Sequence, residues 1–474
     1  MSPLQQLTAP AVLAHGFGIR YDLPVPLYLY VVAAASVVVL SFLLVVFFVR
    51  AREGETGYPR LPLDSLPLIG PLVRGPIPRL VGGTIGVLVL AAIIVTGLLG
   101  ATDATSNPAE YLLWIYFWAA TVILSGLVGN IYALVNPWSA IFDVITRIPG
   151  LRRLRAGLVT YPRRLGMWPA VAGYFGFAFF ELASGYAAQP RAVAWAAVAY
   201  TSCTLVMMAV FGRDTWLTKG EFFSVLFRLV GAFSPVEVTE AGGHRRVYLR
   251  PIAVGLTNLE LEGWDMAAFV LLTLSSLAFD GFSATPVWAN FYLGLGDIMD
   301  SLGPKLGPAL VKGGGLLGLT LVFFAVYMLF MTAVNRFGRG RVSLMRAATL
   351  FAFTLVPIAL VYNAAHNYSY MVIQGQGLYP LLADPLHNGA HLFPVPSHFV
   401  ASFALADAAF VWGLQVVLIV VGHVIAVYLA HRRALITYPD GRGAIRSQFP
   451  MLVLMVLYTS VSLWILSQPI TEAG

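Results

Sequence analysis

Charge is scarce in this chain: Asp, Glu, Lys and Arg make up 11% of 474 residues, while 58% are hydrophobic. So little charge cannot cover the surface of a soluble protein of this size, which argues against a soluble bundle of buried helices. Cysteine is almost missing as well. The single Cys203 excludes an intrachain disulfide, a CxxC redox pair and a multi-cysteine zinc site. Its setting, YTSCTLVMM, reads as a small residue packed between helices. No P-loop or dinucleotide fingerprint occurs, and GGGLLG at 313–318 follows no strand and opens an apolar run instead. The formal charge of +7 does not imply nucleic acid, because the basic residues are spread between apolar runs. MSPLQQLTAPAVLAHG lacks a basic n-region and a long apolar core, so it makes a poor signal peptide.

What is abundant is apolar sequence in runs near 20 residues, the length that crosses a bilayer as a helix. Ten candidate spans follow: 27–49, 80–100, 111–134, 168–188, 193–211, 266–283, 315–335, 349–371, 403–429 and 450–467. AQPR separates the fourth and fifth as a short hairpin turn, and Pro357 is expected to kink the eighth. The fold class is therefore an all-α, polytopic integral membrane helix bundle of the cell membrane. Placing the N-terminus outside gives five cytoplasmic segments, beginning at Arg50, Arg147, Arg213, Arg336 and Arg432. They hold 25 of the 29 Lys and Arg residues and leave Arg20, Arg191, Lys305 and Lys312 outside. That asymmetry is the positive-inside pattern, and it puts both termini outside. Residues 1–26 and 468–474 are then extracytoplasmic. Residues 27–211 and 266–467 carry five spans each, and an outer loop covers 372–402.

Residues 212–265 form the largest cytoplasmic connection. Within it KGEFFSVLFRLVGAF (219–233) is too short to span and reads as an interfacial or re-entrant helix. The alternation in VTEAGGHRRVYLR that follows suits a small hairpin. NPWSAI (136–141), at the same membrane face, reads as a structural anchor, with a cytoplasmic ligand site as the alternative.

The polar residues are unevenly distributed. His15, His366, His387, His391 and His398 lie at or near the outer face, whereas His423 sits deeper. Glu181, Asp280 and Asp407 fall in or beside spans, where a charge is expensive unless it faces the bundle interior, a partner or water. Together these residues suggest an outward-facing cavity. Imidazole and carboxylate ligands suit a divalent transition metal, zinc or copper, which would lower the pKa of a bound water. In that hydrolase reading His366, His391, His398 and Asp407 are candidate metal ligands. Asp280 and Glu181 are candidates for a further ligand or the general base. Each acid equally suits a structural hydrogen bond.

Two other functions stay open on the same residues: transport of a metal ion or small solute, and service as a structural or accessory subunit beside membrane redox partners. Transport requires access from both faces, and no inverted repeat is visible. A bis-histidine haem needs two imidazoles at one depth, which His366 and His423 do not offer. HNYSYMVIQGQ (366–376) marks the polar end of the eighth span. The apolar loop after it, with DPLHNG turns, reads as a lid or a partner-docking surface.

Several stretches carry a family resemblance: AHGFGIRYDLPVPLYLY (14–30), NPWSAI (136–141), YPRRLGMWPA (161–170), GRDTWLTKGEFFSV (212–225), AFDGFSATPVW (278–288) and AHNYSYMVIQGQ (365–376). With these the chain resembles poorly characterised bacterial and archaeal membrane proteins labelled fenitrothion hydrolase-like. The resemblance covers the chain to at least residue 376 and draws attention to His15, Arg20 and Asp22. The label implies metal-assisted cleavage of an organophosphate ester, although the HxH pattern of soluble metal-dependent phosphotriesterases is missing here.

Overall fold

A computed structural model describes residues 25–48, 58–67, 70, 75–241, 244–259, 263–339, 342–396, 399, 401–438 and 440–468. The His15, Arg20 and Asp22 segment and His398 lie outside the described residues. Twelve helices carry the architecture: α1 (Leu27–Phe48), α2 (Ile77–Leu99), α3 (Pro108–Leu127), α4 (Pro137–Ile145), α5 (Trp168–Leu182), α6 (Pro190–Phe211), α7 (Phe222–Phe233), α8 (Trp264–Ser283), α9 (Leu306–Phe337), α10 (Leu344–Leu381), α11 (Ala408–Thr437) and α12 (Gly441–Ser467). Nine of them are long and apolar enough to cross a membrane, the exceptions being α4, α5 and α7. The chain is an all-α polytopic membrane bundle.

Nine of the ten expected spans coincide with these long helices. The expected fourth, 168–188, is α5, and it stops early. At 15 residues it reaches only about 22 Å, short of a hydrocarbon core of about 30 Å. The chain turns at Gly185, whose φ of +72° suits glycine, and Ala183 and Ser184 both donate to the Phe179 carbonyl. At the eighth span the break precedes Pro357. A 3₁₀ turn over Phe353–Leu355 joins Leu344–Ala352 to Val356–Ile373, because the proline ring obstructs the carbonyl four residues back.

Successive spans alternate in direction and give the bundle two ends. One carries the connections 100–107, 183–189, 284–305 and 374–407, and is called the loop end. The other carries a small antiparallel sheet of β1 (Leu61–Pro62), β2 (Val236–Ala241) and β3 (His244–Leu249), in the order β1-β3-β2. The β2–β3 hairpin matches the alternation in VTEAGGHRRVYLR, whereas β1 comes from far along the chain. Helices α8 and α10 are the most buried spans and form the axis, ringed by α3, α5, α9, α11 and α12. Helix α1 packs on α11 and α12, and α2 pairs with α6 on the other side.

Helix α7 is apolar except for a stripe of Ser224 and Arg228 on one face, and every other residue from Phe222 to Phe233 is buried. A helix of that composition belongs inside a bundle rather than on a surface. Phe222 and Phe223 pack among Tyr174, Phe177, Tyr200 and Trp138, with Phe223 and Trp138 rings 6.1 Å apart and nearly parallel. Glu221 caps it, accepting from Phe223 N (3.0 Å) and Ser224 N (2.8 Å). At its other end Arg250, on the far side of the hairpin, donates to the carbonyls of Gly231, Ala232 and Ser234.

The loop after α10 is built rather than slack. Asp384 accepts from the amides of Asn388 (2.9 Å) and Gly389 (2.8 Å), His387 and Gly389 adopt positive φ, and Gln376 exchanges two hydrogen bonds with the Ser402 backbone. The Asn388 amide bond, followed by that of Gly389, holds the Asp384 carboxyl below the ordinary aspartate range. A depressed folded value means the turn gains stability above the unfolded pKa and loses it as pH falls through the folded value. Amide exchange at Asn388 and Gly389 is therefore expected to accelerate, relative to intrinsic rates, only in that acidic window. Unchanged protection below it would show that the carboxylate does not hold the turn.

Candidate functional site

Asp280 sits one turn from the loop end of α8 and His366 well into α10, so the two axial helices bring them face to face. His366 Nε2 lies 3.0 Å from Asp280 Oδ2, and the two side chains are 15% and 14% exposed, within reach of water but mostly enclosed. Close helix approach makes this contact. Gly281 is buried where α8, α10 and α12 meet, and a Cβ there would stand 2.4 Å from Tyr362 Oη and 2.7 Å from Ile465 Cγ2. Tyr362 in turn stacks on the His366 ring, 5.9 Å between centroids. Gly281→Val is therefore expected to destabilise the protein by about 1–3 kcal/mol through overpacking and to move His366 away from Asp280. Thermal unfolding in detergent checks this, and an unchanged midpoint would refute the packing argument.

Further acids extend the pair. Glu181, on α5, is near enough to Asp280 to repel it, and the Trp118 indole lies beside Glu181. Tyr370, one turn beyond His366, lies in the neighbourhood of Glu110, Glu181 and Asp280. Glu110 is 5% exposed, and its Oε1 has no hydrogen-bond partner among the described residues. Toward the membrane centre the Tyr174 and Ser276 hydroxyls meet at 3.0 Å. Nearby a cavity of about 30 Å³, room for a water or two, is lined by Trp118, Thr273 and Asn363. Both polar atoms of the Asn363 carboxamide are buried without a protein partner. Leu226, Leu229, Val230, Val270 and Leu360 close the cavity on its other walls.

Of the sequence-derived site residues, Asp280, Glu181 and His366 come together. Asp407 does not join them: it is exposed and its Oδ2 caps α11 by accepting from Phe410 N at 3.1 Å. The helix begins at Ala408, later than the expected 403, which leaves Asp407 as a cap. His391 is exposed on the loop after α10. No three His, Cys, Asp or Glu side chains converge among the described residues as a metal would require. Of the four candidate ligands His398 lies outside the described residues, and His366, His391 and Asp407 do not converge on one point for a zinc or copper ion. His423 is fully buried at the middle of α11, with Nδ1 2.8 Å from the Ile419 carbonyl.

Glu110, Trp118 and Asn363 went unnoticed in the sequence. For Glu110 the signal was present: Asn107–Pro108 is an N-cap followed by proline at the first helical position, which starts the span at 108 rather than 111. Asn107 accepts from Ala109 N and donates to the carbonyls of Thr96 and Ala101, clamping α2 to α3. Trp118 depends on a wider device. Residues Tyr111–Ala120 wind as a π-helix, a form that collects at functional positions, and no sequence period announces it. The polar run 366–376 now divides in two. His366 and Tyr370 face the acids, while Tyr368 and Gln376 donate to the carbonyls of Leu405 and Ser402 and pin the loop. The chain matches no protein family, no curated protein and no solved structure.

Proposed function

We propose that this protein conducts protons across the membrane, with Asp280, His366 and Glu181 as the groups that take them up and release them. One observation carries the reading. Asp280 and His366 meet in a mostly enclosed contact with Glu181 within electrostatic reach of Asp280, and neither Glu110 nor Glu181 is paired with a basic side chain among the described residues. Acids gathered in a membrane without counter-charges repel one another, and a proton relieves that repulsion wherever it lands. Each group can then hand a proton to the next.

The path enters where His366 and Asp280 meet water, continues to Glu181, and turns inward past Trp118 and the Tyr174–Ser276 pair to the Asn363 cavity. The apolar wall of α7 and α8 beyond it would act as the gate. The positive-inside distribution supports placing the loop end outside, so that uptake starts from the extracytoplasmic face.

A second reading draws on the same pair. An imidazole held by a carboxylate is the base-and-orienter arrangement of a hydrolase, so His366 could activate water against an ester without a metal. The deciding experiment places the purified protein in liposomes containing a pH-sensitive dye and drives proton entry with a potassium diffusion potential. Acidification faster than in empty liposomes, lost in Asp280→Asn, is the expected result. Flux no greater than in empty liposomes, with ester turnover that depends on His366, would replace conduction with hydrolysis.

A further inference from the structure

At the sheet end, away from the acid cluster, a polar cavity of about 250 Å³ opens between the start of α4, the 213–219 helix and α7. Arg213, Arg228, Asn130, Asn136, Ser139 and Ser224 line it, together with Asp214, whose carboxylate is paired with Arg213. The two arginines differ. Arg213 is neutralised: its Nε is 3.2 Å from Asp143 Oδ1 and its Nη1 2.5 Å from Asp214 Oδ1, and it also donates to Ser139. Arg228 has no ion pair and no hydrogen bond among the described residues, although most of its side chain is enclosed by α7 and its neighbours. Burial pushes its guanidinium down from the ordinary value with no carboxylate to offset the cost.

An enclosed guanidinium with no ion pair of its own, beside a polar cavity, is an unusual expense in a helix that is apolar apart from it and Ser224. Its planar fork is suited to oxyanions, which accept two parallel N–H bonds. The remaining walls supply neutral donors from other directions. Asn130 Oδ1 accepts from Ala133 N, which leaves its amide hydrogens without a protein acceptor among the described residues. Asn136 donates one long 3.4 Å bond to Ser224 Oγ, and the Ser139 hydroxyl, which accepts from Arg213, keeps its own hydrogen to give.

We infer that this cavity binds a phosphate-class oxyanion through Arg228, with Asn130, Asn136, Ser139 and Ser224 as secondary donors. The anion is either free in solution or the headgroup phosphate of a membrane lipid. This inference is independent of proton conduction, since none of its residues belongs to the acid cluster.

The test is binding of inorganic phosphate to the detergent-purified full chain, followed by titration and thermal unfolding, and in parallel nanodiscs with or without phosphatidic acid. The expected result is saturable binding that raises the unfolding midpoint and weakens about 10- to 100-fold in Arg228→Gln, the loss of one charge-assisted hydrogen-bonded contact. Saturation by inorganic phosphate identifies a soluble anion, and protection by phosphatidic acid alone identifies a headgroup. Arg228→Lys, which keeps the charge but loses the fork, should bind at an intermediate level, and Ser139→Ala provides a variant that leaves α7 untouched. No protection by either anion, or equal protection of wild type and a folded Arg228→Gln, would overturn the proposal.

Discussion

Arg250→Ala is expected to destabilise this protein more than any other single change at the sheet end, by about 3–5 kcal/mol, the range for breaking a buried charge network. The Arg250 side chain is 7% exposed and lies 3.6 Å from Glu237 Oε1. Its fork fills the last carbonyls of α7, with Nη2 at 3.1 and 3.0 Å from the Gly231 and Ala232 oxygens and Nε at 3.2 Å from that of Ser234. Helix ends leave such carbonyls unsatisfied, and here they lie at buried residues, Ala232 and Ser234 among them. Glu237 also pairs with Arg60 at 3.2 Å and accepts from Tyr58. Loss of Arg250 therefore loosens β1, the hairpin and α7 together. Arg250→Lys should recover only part of the stability, because one ammonium cannot reach three carbonyls in the same geometry. Thermal unfolding in detergent, with limited proteolysis at the hairpin, measures both effects. A loss below about 1 kcal/mol, the worth of a single ordinary hydrogen bond, would show that water replaces the arginine.

The second large effect concerns the proposed conduction path. Asp280→Asn and His366→Ala are each expected to reduce proton flux at least about tenfold, and the double variant no further than the worse single, because groups acting as one unit are not additive. The 3.0 Å contact is what makes them a unit. Glu181→Gln should also lower flux while leaving the Asp280–His366 contact in place, since Glu181 reaches that pair through electrostatic repulsion. Additive losses in the double variant would mean that the two residues serve separate steps, and the cluster would then be a structural contact. Folding of each variant is checked by its unfolding midpoint, so that an absent flux is not mistaken for an absent protein.

The bundle itself was legible because its signal is one-dimensional. A run of apolar residues long enough to cross a bilayer must form a helix, since no water is available there for the backbone, and nine such helices are found where apolar runs predict them. Where the reading slipped, the cause was local. A glycine with positive φ ended α5 early, an Asn–Pro cap started α3 early, and Asp407, a candidate for either a ligand or a structural hydrogen bond, caps a helix. The hairpin was visible in residue alternation, but the strand β1 that joins it was not, because Leu61 and Leu249 are remote in sequence.

Sequence alone settled that this chain is a membrane bundle, that Asp280, Glu181 and His366 are polar residues placed where polarity is costly, and that its basic residues collect at one end. Only the tertiary structure decided which of those residues meet. Composition and hydropathy belong to each helix separately, whereas a site needs the rotation and depth of several helices at once, and those are set by side-chain packing such as that around Gly281. The same holds at the opposite end. Arg228 looked like one more cytoplasmic charge in the sequence, and only the burial of α7 made it an enclosed guanidinium beside a cavity.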